Sequence, residues 1–197
     1  WKGRIHDSGV ENLTIHSTAL SSTDENHPWD GVYIDAAEDC WVRRTDFYGT
    51  AGSAVIVQRY AQQVTVEDCR SFAPASEIGG WRRRTFLTMG GKTLFQRCYS
   101  EQGINDFAAG FCAPGPNAFV QCEAEESHGM SGSVSSWATG LLFDNVNING
   151  GSISFKNLGL DNWGGGWNTA NSLMWQCAAS RLDCYDVSAD ARCLAMG

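Results

Sequence analysis

Glu101 and Glu125 are where this chain most directly suggests chemistry. Each stands three positions beyond a cysteine, Cys98 or Cys122, that ends the same short phrase, so two carboxylates recur at equivalent points of a repeat. On adjacent parallel strands their backbones would stand about 4.8 Å apart. Carboxyl pairs about 5 Å apart suit a retaining glycosidase, and pairs about 6.5 to 9.5 Å apart an inverting one. Mutual repulsion would raise one pKa and leave a general acid at neutral pH. Clustered oxygens would equally suit a calcium ion, and the plainest alternative is a solvated acidic ladder. Two further candidates share these loops, residues 101–107 and 125–134. Asp106 precedes the apolar run Phe107-Ala108-Ala109-Gly110-Phe111, at a strand edge overlooking any groove, where a turn Asp also commonly ties down backbone. His128, before Gly129, is an acid–base candidate near neutral pH.

A third loop, residues 72–81, runs into Trp81-Arg82-Arg83-Arg84. Three consecutive arginines in an acidic chain are able to hold the carboxylates of a uronic-acid polymer, or to supply the base of an elimination; surface pairing with acids is the structural alternative. We assign Arg82 and Trp81 to substrate binding and Arg83 and Arg84 to the catalytic set. Trp137, Trp163 and Trp167 also fall in or near loops, the last two framing Gly164-Gly165-Gly166, with Asp161 beside Trp163. Indole faces stack on the apolar faces of sugar rings, and they also cap hydrophobic cores. Asp30, within the turn His27-Pro28-Trp29-Asp30-Gly31, and Asp35 beyond it would extend the same groove.

These residues need a scaffold, and the repeat supplies it. Two or three apolar residues, a two-residue polar step, then Cys, Thr or Asn recur in phrases ending at Thr18, Thr45, Cys69, Cys98, Cys122, Asn145 and Cys177. The spacing, about 23 to 32 residues, is too short for a propeller blade of about 40, and the leucine-rich frame is absent. Small residues two positions past the corner (Ser71, Ser100, Ala124, Ala179) suit a narrow interior, and more varied ones follow at the third position. Ile153-Ser154-Phe155 reads as a second strand within one pass. No sustained helical periodicity appears. The expected fold is all-β: a right-handed single-stranded parallel β-helix of about seven coils, residues 1–197 forming one domain; the Trp1 start and the lack of obvious caps lead us to expect a segment of a longer protein.

This pattern resembles the right-handed parallel β-helix of the pectate-lyase-like superfamily, over nearly the whole chain. The resemblance implies the fold and a polysaccharide substrate. It carries over no catalytic residue, because the Asn-Thr-Asp, Asp-Asp, Gly-His-Gly and Arg-Ile-Lys elements of polygalacturonase-like hydrolases are absent, as are the Asp-His and Arg-Pro elements of common pectate lyases. The expected function is cleavage of glycosidic bonds in an acidic polysaccharide, with acid/base hydrolysis preferred because acids cluster on neighbouring turns. The alternatives are a lyase with an Arg base and a non-catalytic carbohydrate-binding or structural solenoid.

Composition narrows the partners. Fourteen Lys and Arg stand against 22 Asp and Glu in 197 residues, a net charge of −8, which argues against nucleic acid, whose binding rests on phosphate neutralisation. No apolar run approaches the roughly 18 residues of a membrane span. The partner is expected to be a polysaccharide or oligosaccharide, and the location secreted or periplasmic from that substrate class alone. No cofactor beyond the conceivable calcium is implied. Of eight cysteines, four (Cys69, Cys98, Cys122, Cys177) share one corner, where stacking gives side-by-side rather than opposed thiols; free thiols are expected, least firmly for Cys184 and Cys193. Asn12-Leu13-Thr14 fits a glycosylation sequon but falls in an expected strand.

Overall fold

The apolar phrases become short parallel strands. A computed structural model describes residues 3–18, 21–135, 137–160 and 165–197, and among them every regular element is a strand. Nine strands form one sheet and twelve a second, strongly curled sheet, with a two-stranded ribbon of Ala138–Thr139 and Thr169–Ala170 beside them. The nine-stranded sheet runs through Ala37–Arg43, Gln62–Glu67, Thr93–Gln96, Asn117–Val120, Leu141–Asp144, Ser172–Trp175 and Cys193–Met196 in that order, all parallel. Parallel pairing of successive phrases requires the chain to pass around and return each time, which is consistent with a parallel β-solenoid.

The curled sheet has two limbs. One holds Thr14–His16, Asp46–Tyr48, Arg70–Phe72, Tyr99–Glu101 and Glu123–Glu125; the other holds Val32–Ile34, Val55–Val57, Phe86–Thr88, Phe107–Gly110 and Met130–Val134. The nine-residue strand Asn147–Phe155 joins them, pairing at its start with Glu123–Glu125 and at its end with Met130–Val134. The separate strand expected at Ile153 is therefore the second half of one long strand. Met130–Val134 is likewise a strand, where the sequence suggested continuing loop.

Between the sheets lies a column of stacked side chains. Phe95, Phe119 and Phe143 occupy matched register positions, are fully buried, and place ring centroids 5.0 and 4.9 Å apart. Burying each phenyl ring contributes on the order of 2 to 3 kcal/mol. Ser71, Ser100 and Ala124 face inward as their size suggested.

Seven strands of the nine-stranded sheet are followed by a corner of one conformation. Asn12, Arg44, Asp68, Arg97, Gln121, Asn145 and Gln176 all have φ between 47° and 59°, a left-handed geometry that costs roughly 1 to 2 kcal/mol for most side chains. The residue that follows enters the core: Thr45, Cys69, Cys98, Cys122 and Val146 are all buried. This shifts two of the repeat assignments, since the inward residue after Asn145 is Val146, and the first corner lies at Asn12 rather than near Thr18. All eight thiols are free in this structure. Burial pushes the Cys69 thiol up to about 12 and that of Cys98 well above its ordinary value.

Candidate functional site

The carboxylates that opened the sequence analysis do stack. Glu101 and Glu125 are register partners on adjacent strands, and Gln102 and Glu126, which follow them, bend the chain away at φ 54° and 53°. Both acids are already engaged. Glu101 accepts hydrogen bonds from Ala73 N at 3.2 Å and the Tyr99 hydroxyl at 3.1 Å, while Glu125 accepts one from Asn149 Nδ2 at 2.6 Å. They lie on the outer face of one limb, beside a row of neighbouring rings, His16, Tyr48, Phe72 and Tyr99.

Asp106 corrects the expectation most sharply. It overlooks nothing: its exposure is 0%. Its carboxylate accepts hydrogen bonds from Ser100 Oγ at 2.6 Å, Ser127 Oγ at 2.6 Å and Gly103 N at 3.1 Å. A Cβ on Gly103 would fall 2.2 Å from Asp106 Oδ1, so only glycine fits beside it. Burial raises the Asp106 pKa, with the hydrogen bonds pulling the other way. The residue joins successive passes of the chain, the use of a turn Asp that competes with chemistry. His128 is exposed, and its backbone N donates to Gly103 O at 2.8 Å.

The three arginines separate into three roles. Arg82 pairs with Glu25 and lies over the Trp29 ring, 5.1 Å from its centroid. Arg83 is buried and donates to the carbonyls of Pro74, Ser76 and Gln102, so it clamps the loop from within instead of facing a substrate. Arg84 is also buried, at 6% exposure, with its guanidinium carbon 4.0 Å from the Trp81 centroid and 5.7 Å from that of Phe111. Its Nη1 is buried and has no hydrogen-bond partner. Burial pushes its pKa down to about 10.

Arg84 lines a cavity of about 350 Å³ together with Trp29, Asp30, Arg59, Trp81, Leu87, Met89 and Phe111. The floor is the outward face of the second limb, where Ile56 and Leu87 form a small apolar cluster with Ala108 and Val134, and Met89 and Phe111 pack against it. The walls come from the two loops before Val32–Ile34 and Phe86–Thr88, tied together by the Glu25–Arg82 pair. The Trp81 and Phe111 rings stack at 5.5 Å. Asp30 accepts a hydrogen bond from Ser53 N at 2.8 Å, and burial raises its pKa. Gly52 permits this closeness, since a Cβ there would meet Asp30 Oδ1 at 2.7 Å.

Of the residues singled out from sequence, the cavity gathers Trp81, Arg84 and, more loosely, Asp30, with Arg82 bracing the wall. It does not include Glu101, Glu125, Asp106, His128 or Arg83. Trp137 is 44% exposed and Trp167 half-buried in a bridge to Asn157, and neither lines the cavity. Trp163 and Asp161 lie outside the described residues. Trp29, Arg59 and Phe111 line the cavity without having been singled out from sequence; the signal available for Trp29 was the Trp-Asp-Gly turn, which places an aromatic beside an acid. Among the described residues no group of three or more His, Cys, Asp or Glu is arranged to hold a metal ion, and no helix is long and apolar enough to cross a membrane. The chain matches no protein-family model, no curated protein and no solved structure.

Proposed function

We propose that this chain is a carbohydrate-active, right-handed parallel β-helix of about seven coils, of the pectate-lyase-like kind, acting on an acidic polysaccharide outside the cytoplasm. The observation that carries the reading is Arg84: a buried guanidinium, stacked on an indole, with an unpartnered Nη1 beside a ring-sized cavity. A buried donor without a partner costs about 1 to 3 kcal/mol, more when charged; Arg84 borders the cavity, and turning its guanidinium toward a carboxylate on a bound sugar ring would relieve that cost. Trp29, Trp81 and Phe111 line the space a sugar ring would occupy, and exposed Arg59 adds a second cation.

The charges in the cavity suit β-elimination better than hydrolysis. Hydrolysis ordinarily needs two carboxylates flanking the bond, and Asp30 alone lines this cavity. Elimination needs a carboxylate neutralised by cations and one base. At a pKa of about 10, Arg84 is only about a thousandth deprotonated at pH 7, so it anchors the substrate carboxylate. Asp30, made more basic by burial, takes the proton from the carbon bearing that carboxylate. The freed electron pair forms the ring double bond, and the glycosidic C–O bond on the next carbon breaks, its oxygen leaving on the other fragment and taking a proton from solvent to become a hydroxyl.

The test is incubation with plant and algal polyuronates, with and without chelator, reading reducing ends and the ultraviolet absorbance of unsaturated uronate. Both signals should rise together and fall at least about 100-fold in Arg84→Gln. Reducing ends without absorbance would return the assignment to a hydrolase. Binding without either signal would make this a non-catalytic carbohydrate-binding solenoid.

A further inference from the structure

We infer that the cavity takes the terminal residue of the saccharide chain rather than an internal one, an inference that rests on the acidic-saccharide reading above. The argument comes from one row of side chains. Tyr33, Ile56, Leu87 and Ala108 are consecutive register partners on the outward face of the second limb, and the row continues to Gly132 and Ser154. A polymer lying along such a face crosses the strands and needs an open path at both ends. Here exposure falls steadily along the row, from 59% at Tyr33 to 9% at Ile56, 3% at Leu87 and 0% at Ala108.

The closed side has identifiable causes. Phe111 and Met89 pack against the cluster containing Ala108. Val134 lies over the next outward position, where a Cβ on Gly110 would meet its Cγ2 at 2.6 Å. Phe111 is held in turn by Trp81 and Arg84, so the wall and the anion anchor are one assembly. Beyond it Ser154 is again fully buried. The cavity, about 350 Å³, is near the lower end of the roughly 300 to 1,000 Å³ of sites that bury a whole small ligand. One or two sugar rings occupy the cavity between Trp29 and Phe111, with the rest of the chain leading away from Phe111.

Calorimetric titration of the full chain with oligogalacturonates and oligomannuronates of one to six residues tests this directly. Affinity should reach its plateau by the dimer or trimer and change less than about threefold to the hexamer. Binding capacity for polymer should follow chain ends: halving the mean length at constant mass should about double it. A climb of tenfold or more up to the hexamer, with capacity fixed by mass, would overturn end recognition while leaving the acidic-saccharide site standing. Absence of binding in both series would overturn both. Phe111→Ala supplies the complementary arm. In a variant shown to be folded by circular dichroism, opening the closed side should raise the hexamer-to-dimer affinity ratio several-fold; an unchanged ratio would count against Phe111 as the stop.

Discussion

Removing the Asp106 carboxylate should unfold rather than merely inactivate. In Asp106→Ala the Ser127 hydroxyl and Gly103 N–H lose their acceptor in a fully buried setting, while Ser100 keeps Thr85 Oγ1 at 3.0 Å as an alternative. Two stranded donors at about 1 to 3 kcal/mol each, less the relief of no longer burying a charge, leave a loss of about 3 kcal/mol. Asp106→Asn keeps one oxygen for Gly103 and Ser100, and Ser127 is free to turn and accept from the new amide, so about 1 kcal/mol is expected. With a urea slope of about 2 to 3 kcal/mol/M, the alanine midpoint should fall by about 1 M and the asparagine midpoint by much less. The pH dependence has a fixed sign. Because burial raises the folded-state pKa, the wild-type advantage is full below the unfolded value near 4 and is lost as pH rises through the folded value. The gap between wild type and Asp106→Asn should therefore narrow from pH 4 to pH 7. An alanine variant within 1 kcal/mol of wild type that had nonetheless lost all turnover would refute the reasoning and restore Asp106 to the catalytic set.

Four further outcomes are expected. Asp30→Asn should abolish uronate elimination without loss of stability at neutral pH, since it keeps an acceptor for Ser53 N; in the wild type, activity should fall as pH drops through the raised Asp30 pKa, seen in the acid limb of the kcat/KM profile. Glu101→Gln with Glu125→Gln should leave both turnover and melting nearly unchanged, within about 1 kcal/mol, because the pair is a partly exposed ladder away from the cavity. Thiol labelling of the native chain should modify exposed Cys112 first and leave Cys69, Cys98 and Cys122 untouched until denaturant is added, read by mass spectrometry of the labelled peptides. Phe119→Ala, at the middle of the phenylalanine stack, should cost about 3 to 5 kcal/mol in a denaturant melt.

The scaffold was legible because its signal repeats. Apolar residues before a polar step mark the same strand on each pass, and the small residue after the corner reports the narrow interior, so Ser71, Ser100 and Ala124 could be placed inward from composition alone. The register of Glu101 on Glu125 followed from the same spacing. The cavity was less legible because its parts come from different loops and are brought together by pairing that no single phrase encodes. Trp29 and Trp81 lie 52 positions apart in sequence, and the Glu25–Arg82 pair that joins their loops leaves no local pattern. Asp106 misled for a related reason. A turn aspartate reads the same whether its carboxylate faces solvent or three inward donors, and two of those donors, Ser100 and Ser127, belong to neighbouring segments.

The left-handed corner divides the solenoid into an edge that keeps count and an edge that does not. An extra residue at Arg97 or Gln121 would turn the whole of the next strand inside out, because side chains alternate between faces. Length variation is thus excluded from that edge and collects at the connection between the two limbs, which spans residues 126–129 in one pass and 17–31 in another. The loops bearing Trp29 and Trp81 both belong to this tolerant edge. The walls of the cavity can therefore be exchanged with those loops, the core and its register left as they are.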